Sequence, residues 1–371
     1  MKRLKDFVGA DLTRIAIPVF FNEPTSFLHR ACEACEAYEL LHSAANAAAD
    51  DAGHVLRLAH LAAFSIAAYS TGERTSKPFN PLLGETFEFS TASMRFVAEQ
   101  VSHHPPITAG HMEGADWEWW QTKEFKASFT GNAVNSPPAG LTSVRFKKDD
   151  VVYEWGGLSS TIHNILVGRL WLDHYGKYTL APSKPGFASA EVEFTQCGWF
   201  SRGWHKVLAL IKDAKGAPRL YVGGFWHEVL EMWDVAHGSD YAKVPDAAKT
   251  VLWRKPPPPA NPKWRGFGSF IEQCCELTDQ LKSTLPRSDA RFRPDILELA
   301  KGNYRLAGAE KWKLEEKQRA ERKLREEGTI GDWQQRWFSL QNKQWIFGGK
   351  YWTARAERLA AAGLEAFGPK F

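Results

Sequence analysis

The sequence predicts a mainly β fold with helices, of the α+β class, in which an antiparallel sheet curls on itself. Three observations predict it. Between residues 86 and 226 there is a succession of short alternating runs, among them "TFEFS", "MRFVAEQV", "WEWWQ", "VVYEW", "AEVEFTQ" and "RLYVGGFW", many separated by Gly, Asp-Asp, Asn or Pro. Before them lie two stretches with helical spacing. After them comes a long charged segment with the period of a helix.

Composition narrows the class. The 371 residues carry 47 basic and 43 acidic side chains, a net charge of +4. That near balance gives no reason to expect nucleic acid, although a local basic face would still attract anionic lipid. Sixteen Trp and 23 Phe are suited to cores, apolar cavities and membrane-facing surfaces. Five cysteines form no disulfide framework; Cys32 and Cys35 fall inside a helical pattern, and no second C-x-x-C completes a zinc site. The start, "MKRLKDFVGADLTRI", lacks the apolar region of a signal peptide. The longest apolar run, 58–70, is too short to span a bilayer. A soluble, monomeric chain without cofactor is expected.

The elements follow in order. Leu4, Phe7, Val8, Leu12 and Ile15 approximate one helical stripe weakened by Gly9, and Pro18 imposes an extended exit. The stripe suits either a packed helix or a mobile flap. "EPTSFLHRACEACEAYELLHSAANAAAD" opens with Pro24 and a Thr25 or Ser26 cap, and predicts one helix with Phe27, Leu28, Ala31, Cys35, Tyr38 and Leu41 on its apolar face. A second helix, roughly 52–69, is apolar nearly all round and so predicted to be buried. "KPFNPLLGE" (77–85) is a turn, after which the strands begin. "KPPPPANP" (255–262) is a stiff connector. Beyond it, "FIEQCCELTDQLKSTLP" predicts a helix, 306–328 a long charged helix stopped by Gly328, and "WQQRWFSLQNKQWIFGGKYW" an aromatic loop.

The sharpest motif is "EQVSHHPP", residues 99–106. A zinc site needs three or four convergent ligands. Adjacent residues on an extended segment point to opposite faces, and Pro105 and Pro106 favour an extended path, so no metal is expected. Ser102 beside His103 lacks the geometry of a nucleophile–base pair, and there is no G-x-S-x-G; no catalytic residue is assigned. Imidazole can donate one hydrogen bond when neutral and two when protonated. Two histidines at a strand end, with Lys77 reaching in, would cradle a phosphate. Ordinary loop histidines are the alternative. In the charged helix, Lys311, Glu315 and Arg319 recur every fourth residue and share a face; that is a solvated ion-pair ladder or a grip on an anion.

These residues carry a resemblance. "EQVSHHPP" resembles the signature of the oxysterol-binding protein family at all eight positions. "PVFFNEPTSFLHRACEACEAYELL", "RTSKPFNPLLGETFE", "IHNILVGRLWLDHYGK", "GFWHE", "RFRPDILELAKGNYRLAGAEKWKLEEKQR" and "FGGKYW" resemble further family segments in order along nearly the whole chain.

The resemblance implies an incomplete antiparallel β-barrel around an apolar lipid tunnel, with an N-terminal lid and a C-terminal helical subdomain. It implies lipid binding and transfer without catalysis: exchange of phosphatidylinositol 4-phosphate with a sterol, or with phosphatidylserine or another lipid, between membranes, or alternatively lipid sensing through a partner. Residues 1–22 would be the lid, with Leu4, Phe7, Leu12 and Ile15 over the tunnel mouth. Residues 23–76 would be the N-terminal helices, 77–254 the barrel, and 255–371 the C-terminal subdomain and tail. By resemblance, Lys77, Asn80, His103, His104, Lys311, Glu315 and Arg319 bind the phosphoinositide headgroup. The protein would lie in the cytoplasm, in transient contact with anionic surfaces of organelle membranes. No pleckstrin-homology domain, ankyrin repeats or acidic endoplasmic-reticulum docking motif is found in the chain.

Overall fold

The computed structural model describes residues 18–165, 167–198 and 203–361. The stripe of Leu4, Phe7, Leu12 and Ile15 lies outside the described residues.

Strand β1 (Asn22–Ser26) pairs in parallel with β2 (Lys77–Phe79). Between them run helices α1 (Phe27–Glu33), α2 (Glu39–Ala45) and α3 (Asp51–Ala67). The predicted first helix is therefore two. Ser26 caps α1, its hydroxyl accepting from Leu28 N. After Glu33 the winding tightens to i→i+3 bonds, Cys35 N to Cys32 O and Tyr38 N to Cys35 O, which breaks the α-helical ladder. The residues before the cap are strand rather than helix. Helix α3 begins at an Asp50 cap, near its predicted start.

The sheet has fifteen strands among the described residues. The first are β3 (Thr86–Ser90), β4 (Arg95–His103), β5 (Pro106–Glu113), β6 (Trp117–Glu124), β7 (Ser128–Phe129) and β8 (Ala133–Ser136). Then come β9 (Leu141–Phe146), β10 (Val151–Gly156), β11 (Ser159–His163), β12 (Trp171–Pro182) and β13 (Ser189–Phe194). The last are β14 (Lys206–Lys212), β15 (Pro218–Phe225), β16 (Val229–Asp234) and β17 (Thr250–Arg254). Every ladder pair of this sheet is antiparallel, and its main path runs from β17 to β3 without those two ends pairing. The quoted alternating runs lie on strands of this sheet. The alternation in β13, with Ala190, Val192 and Phe194 buried between exposed acids, is the half-buried pattern in its simplest form.

Helix α3 packs along β13 to β17. Leu58, Leu61, Ala62 and Ile66 on it are wholly buried in one core with the sheet's inner side chains. A helix apolar all round is satisfied only in such a place.

The C-terminal part departs from expectation twice. The predicted helix after the proline stretch is two short ones, α4 (Ser269–Cys274) and α5 (Asp279–Thr284), because Thr278 caps a new start. Helices α6 (Pro294–Ala300) and α7 (Tyr304–Glu326) follow. The aromatic tail is ordered structure, not loop: a hairpin of β18 (Phe338–Gln341) and β19 (Gln344–Phe347), then helix α8 (Lys350–Ala361). Asn342 and Lys343 turn it with φ of 47° and 68°, the backbone of a tight two-residue hairpin. The dense aromatics that hid this alternation are what bury it: Phe338 and Tyr351 pack with Val97 and Val101 on the outer side of β4.

Candidate functional site

Three segments far apart in sequence meet at a cleft of about 1370 Å³. All seven nominated headgroup residues line it: Lys77, Asn80, His103, His104, Lys311, Glu315 and Arg319.

The "EQVSHHPP" motif supplies one wall, and its residues divide the work. Glu99, fully buried, accepts from Arg336 N at 3.1 Å and Trp337 N at 3.0 Å, which ties the C-terminal hairpin to β4. Gln100 accepts from Thr108 Oγ1 at 2.7 Å and donates to Ser102 O, which fastens β5. Ser102, His103 and His104 then reach the cleft. The extended path expected at the two prolines is wrong. The chain reverses there, with a cis His104–Pro105 peptide and His103 paired to Pro106. The reversal holds both rings on one turn, centroids 4.8 Å apart and nearly perpendicular. Among the described residues no cluster of three or more His, Cys, Asp or Glu side chains could hold a metal.

The "KPFNPLLGE" segment supplies the second wall. Its backbone is fastened from below: Asn22 Nδ2 donates to Lys77 O at 3.0 Å, and Arg293 Nη1 donates to Asn80 O and to Glu85 Oε2, both at 2.8 Å. Glu85 in turn accepts from Leu82 N at 2.9 Å and from Ser26 Oγ. Arg293 also meets Asp295 at 2.7 Å, so a guanidinium in a buried ion network sets the loop that carries Lys77 and Asn80. Gly84, at φ +78°, leaves room for Trp333, whose ring atoms would lie 2.3 Å from any Cβ there.

Helix α7 supplies the third wall. Gln318 Oε1 accepts from Leu83 N at 3.2 Å and docks the helix on the loop. Glu315 stands between its two neighbours, 3.7 Å from Lys311 Nζ and 4.0 Å from Arg319 Nη1. Arg319 also pairs with Glu316. Lys311 is the best covered of the three, 14 % exposed against 30 % for Glu315 and 48 % for Arg319.

The cleft is electropositive. Seven basic side chains line it against four acidic ones. Burial first, then the charge of Lys311, lowers the Lys77 pKa to about 8, with Glu315 opposing. Burial also lowers Lys311, with Glu315 as the chief opposing influence. Burial first, then His104, lowers His103 to about 4; the Pro81 carbonyl opposes, and Arg322 and Arg293 reinforce. His103 is thus neutral at pH 7, and its buried Nδ1 has no hydrogen-bond partner among the described residues. Such a set of cations and imidazoles has the chemistry to hold a multiply charged oxygen anion.

Sequence reasoning missed Arg293 and Arg322. Arg322 was legible in principle, since it follows Arg319 by three on the same helix. Arg293 was not: only the fold brings it under the loop.

Comparisons with known proteins agree along nearly the whole chain. The oxysterol-binding protein family matches residues 1–356. Oxysterol-binding protein-related protein 1B of Arabidopsis thaliana is 34 % identical over 357 residues, 95 % of this chain and 70 % of that protein. Protein 2B of the same organism is 35 % identical over 357 residues, 95 % and 50 %. The human oxysterol-binding protein-related protein 7 is 34 % identical over 364 residues, 95 % and 41 %. Apart from the first, the chain spans half or less of these relatives. The Osh1 ORD domain solved with cholesterol superposes with a TM-score of 0.86 at 32 % identity, covering 99 % of this chain and 89 % of that one. The Osh3 ORD of Saccharomyces cerevisiae solved with PI(4)P gives 0.81 at 28 %, covering 96 % and 92 %. The domain is a lipid-binding one and not an enzyme, and the chain belongs to the oxysterol-binding protein family.

Proposed function

We propose that this protein extracts phosphatidylinositol 4-phosphate and a sterol from membranes and exchanges them, with Lys77, Asn80, His103, His104, Lys311, Glu315 and Arg319 as the clamp on the phosphoinositide headgroup. The observation that carries this reading is the convergence of the histidine turn, the Lys77 loop and α7 on one electropositive cleft. The relatives Osh3, solved with PI(4)P, and Osh1, solved with cholesterol and ergosterol, support it.

The energetics ask for a closed carrier. Each methylene moved into water costs about 0.8 kcal/mol, roughly 10 kcal/mol or more for a sixteen-carbon chain. The aromatic and aliphatic inner face of the sheet gives that chain a dry environment. Residues 1–22 keep the role of lid in this proposal, with Lys2, Arg3 and Lys5 meeting anionic lipid when it opens. No helix among the described residues is long and apolar enough to cross a membrane, and peripheral contact from the cytoplasm is the proposed mode.

Transfer between two liposome populations tests it. One population carries the phosphoinositide and the other a fluorescent sterol. Movement of each lipid, accelerated by the other in the opposite population, is expected. Binding of both without transfer would favour a lipid sensor.

A further inference from the structure

Strand β6 carries a lysine where its neighbours are core aromatics. Side chains alternate across a strand, and Trp117 and Trp119 belong to the main core. The same parity sends Gln121 and Lys123 to the inner face. The even residues face the other way: Trp120 bonds Gln344 and Thr122 bonds Trp345 N, both in the C-terminal hairpin. Thr122 and Glu124 line the headgroup cleft, and Lys123 does not. Adjacent strands extend a polar band inside. Thr108 of β5 sits opposite Lys123, and Gln121 donates to Thr142 of β9 at 2.8 Å.

Lys123 is exposed, yet the crowding of protein around its ammonium, and then the charge of Arg30, lower its pKa. The Lys123 side chain makes no hydrogen bond or ion pair among the described residues. Nearby, His174 and Trp226 stand 5.1 Å apart. Ser160 Oγ engages His174 Nδ1 at 2.7 Å, while His174 Nε2 and Trp226 Nε1, both buried, have no partner among the described residues. An ammonium and an indole N–H can only donate, and buried donors left unmade are costly. The Lys123 ammonium can only donate and carries a positive charge, so an occupant of this face has to bring the acceptor.

We propose that Lys123 forms a second, internal anion site, which takes an anionic oxygen group carried inside on the apolar body of a lipid: a carboxylate, or the phosphodiester of a phosphoinositide whose headgroup is held in the outer cleft. The inference rests on the inner face being the lipid cavity, as in the proposed function. Its chemistry differs from that of the cleft, because one ammonium suits a single charge where the cleft's cations and histidines suit a phosphate monoester.

The test compares the full chain with Lys123→Met and with Lys123→Arg, which keeps the charge. Binding is measured for oleate, for methyl oleate, for phosphatidylinositol 4-phosphate in liposomes and for dehydroergosterol. The unaltered protein is expected to prefer oleate to methyl oleate by about tenfold or more, Lys123→Met to lose that preference while keeping dehydroergosterol, and Lys123→Arg to retain it. A tenfold loss of phosphoinositide by Lys123→Met, without an oleate preference in the unaltered protein, assigns the site to the phosphodiester. If Lys123→Met changes neither while sterol and phosphoinositide are still extracted, the internal site is overturned and the proposed function stands. If the unaltered protein takes up no lipid at all, both fall.

Discussion

Lys311, on α7, acts across the cleft on Lys77: after burial, its charge is the largest influence holding the Lys77 pKa down to about 8 from 10.5, with Glu315 opposing. Two cations brought together in partial burial are a stability cost that suits them to wait for an anion. The sign with pH follows. Between about 8 and 10.5 the unfolded chain binds more protons at this position than the folded one. Unfolding free energy should therefore rise with pH across that window, and the cost is fully present below 8. Lys77→Met is expected to stabilise the unliganded protein at pH 7 by about 1–2 kcal/mol, to flatten that rise, and to abolish phosphoinositide extraction. Thermal melting at pH 7 and pH 10 checks it; a lower melting temperature in the variant would mark Lys77 as structural.

His103 is held near pKa 4 with an unpartnered Nδ1. A phosphate in the cleft would reverse the electrostatics and favour the protonated ring. Binding at pH 7 should then take up protons, and affinity should fall as pH rises. Calorimetry in two buffers of different ionisation enthalpy reads the uptake directly. His103→Ala with His104→Ala is expected to abolish phosphoinositide extraction and to leave sterol binding largely intact. Equal loss of both ligands in a folded protein would make the pair structural.

On α7, Lys311→Ala and Arg319→Ala should each weaken the phosphoinositide by about 1.5–3 kcal/mol, the scale of a charge-assisted hydrogen bond. Melting without ligand should change little, since the pairs with Glu315 are long and partly exposed. Steep destabilisation with unchanged affinity would return the helix to a plain ion-pair ladder.

Arg293 is expected to behave in the opposite way. Its partners Glu85 and Asp295 are wholly buried. Arg293→Leu leaves their charges uncompensated and should cost about 3–5 kcal/mol of stability. It also removes the bond to Asn80 O, so any folded fraction should extract phosphoinositide poorly. Urea denaturation, with extraction measured below the transition, separates the two effects.

Much of this was legible along the chain. Period-2 runs marked β3, β10 and β13, helical period marked α3 and α7, and the spacing of Lys311, Glu315 and Arg319 put them on one face, because such patterns are local. The signature, the turn and the charged helix named seven residues through resemblance, and all seven line one cleft. What the chain could not announce were relations across distance. Arg293 lies under Asn80 only because α6 packs against β1. The histidines share a turn because β5 pairs back on β4, where two prolines alone suggested extension. The tail is a hairpin and helix because Val97 and Val101 offer it an apolar seat. Lys123 is the clearest case. Alternation sets it opposite Thr122 and Glu124, but which of a strand's two faces points inward is settled only when helices and neighbouring strands bury one of them.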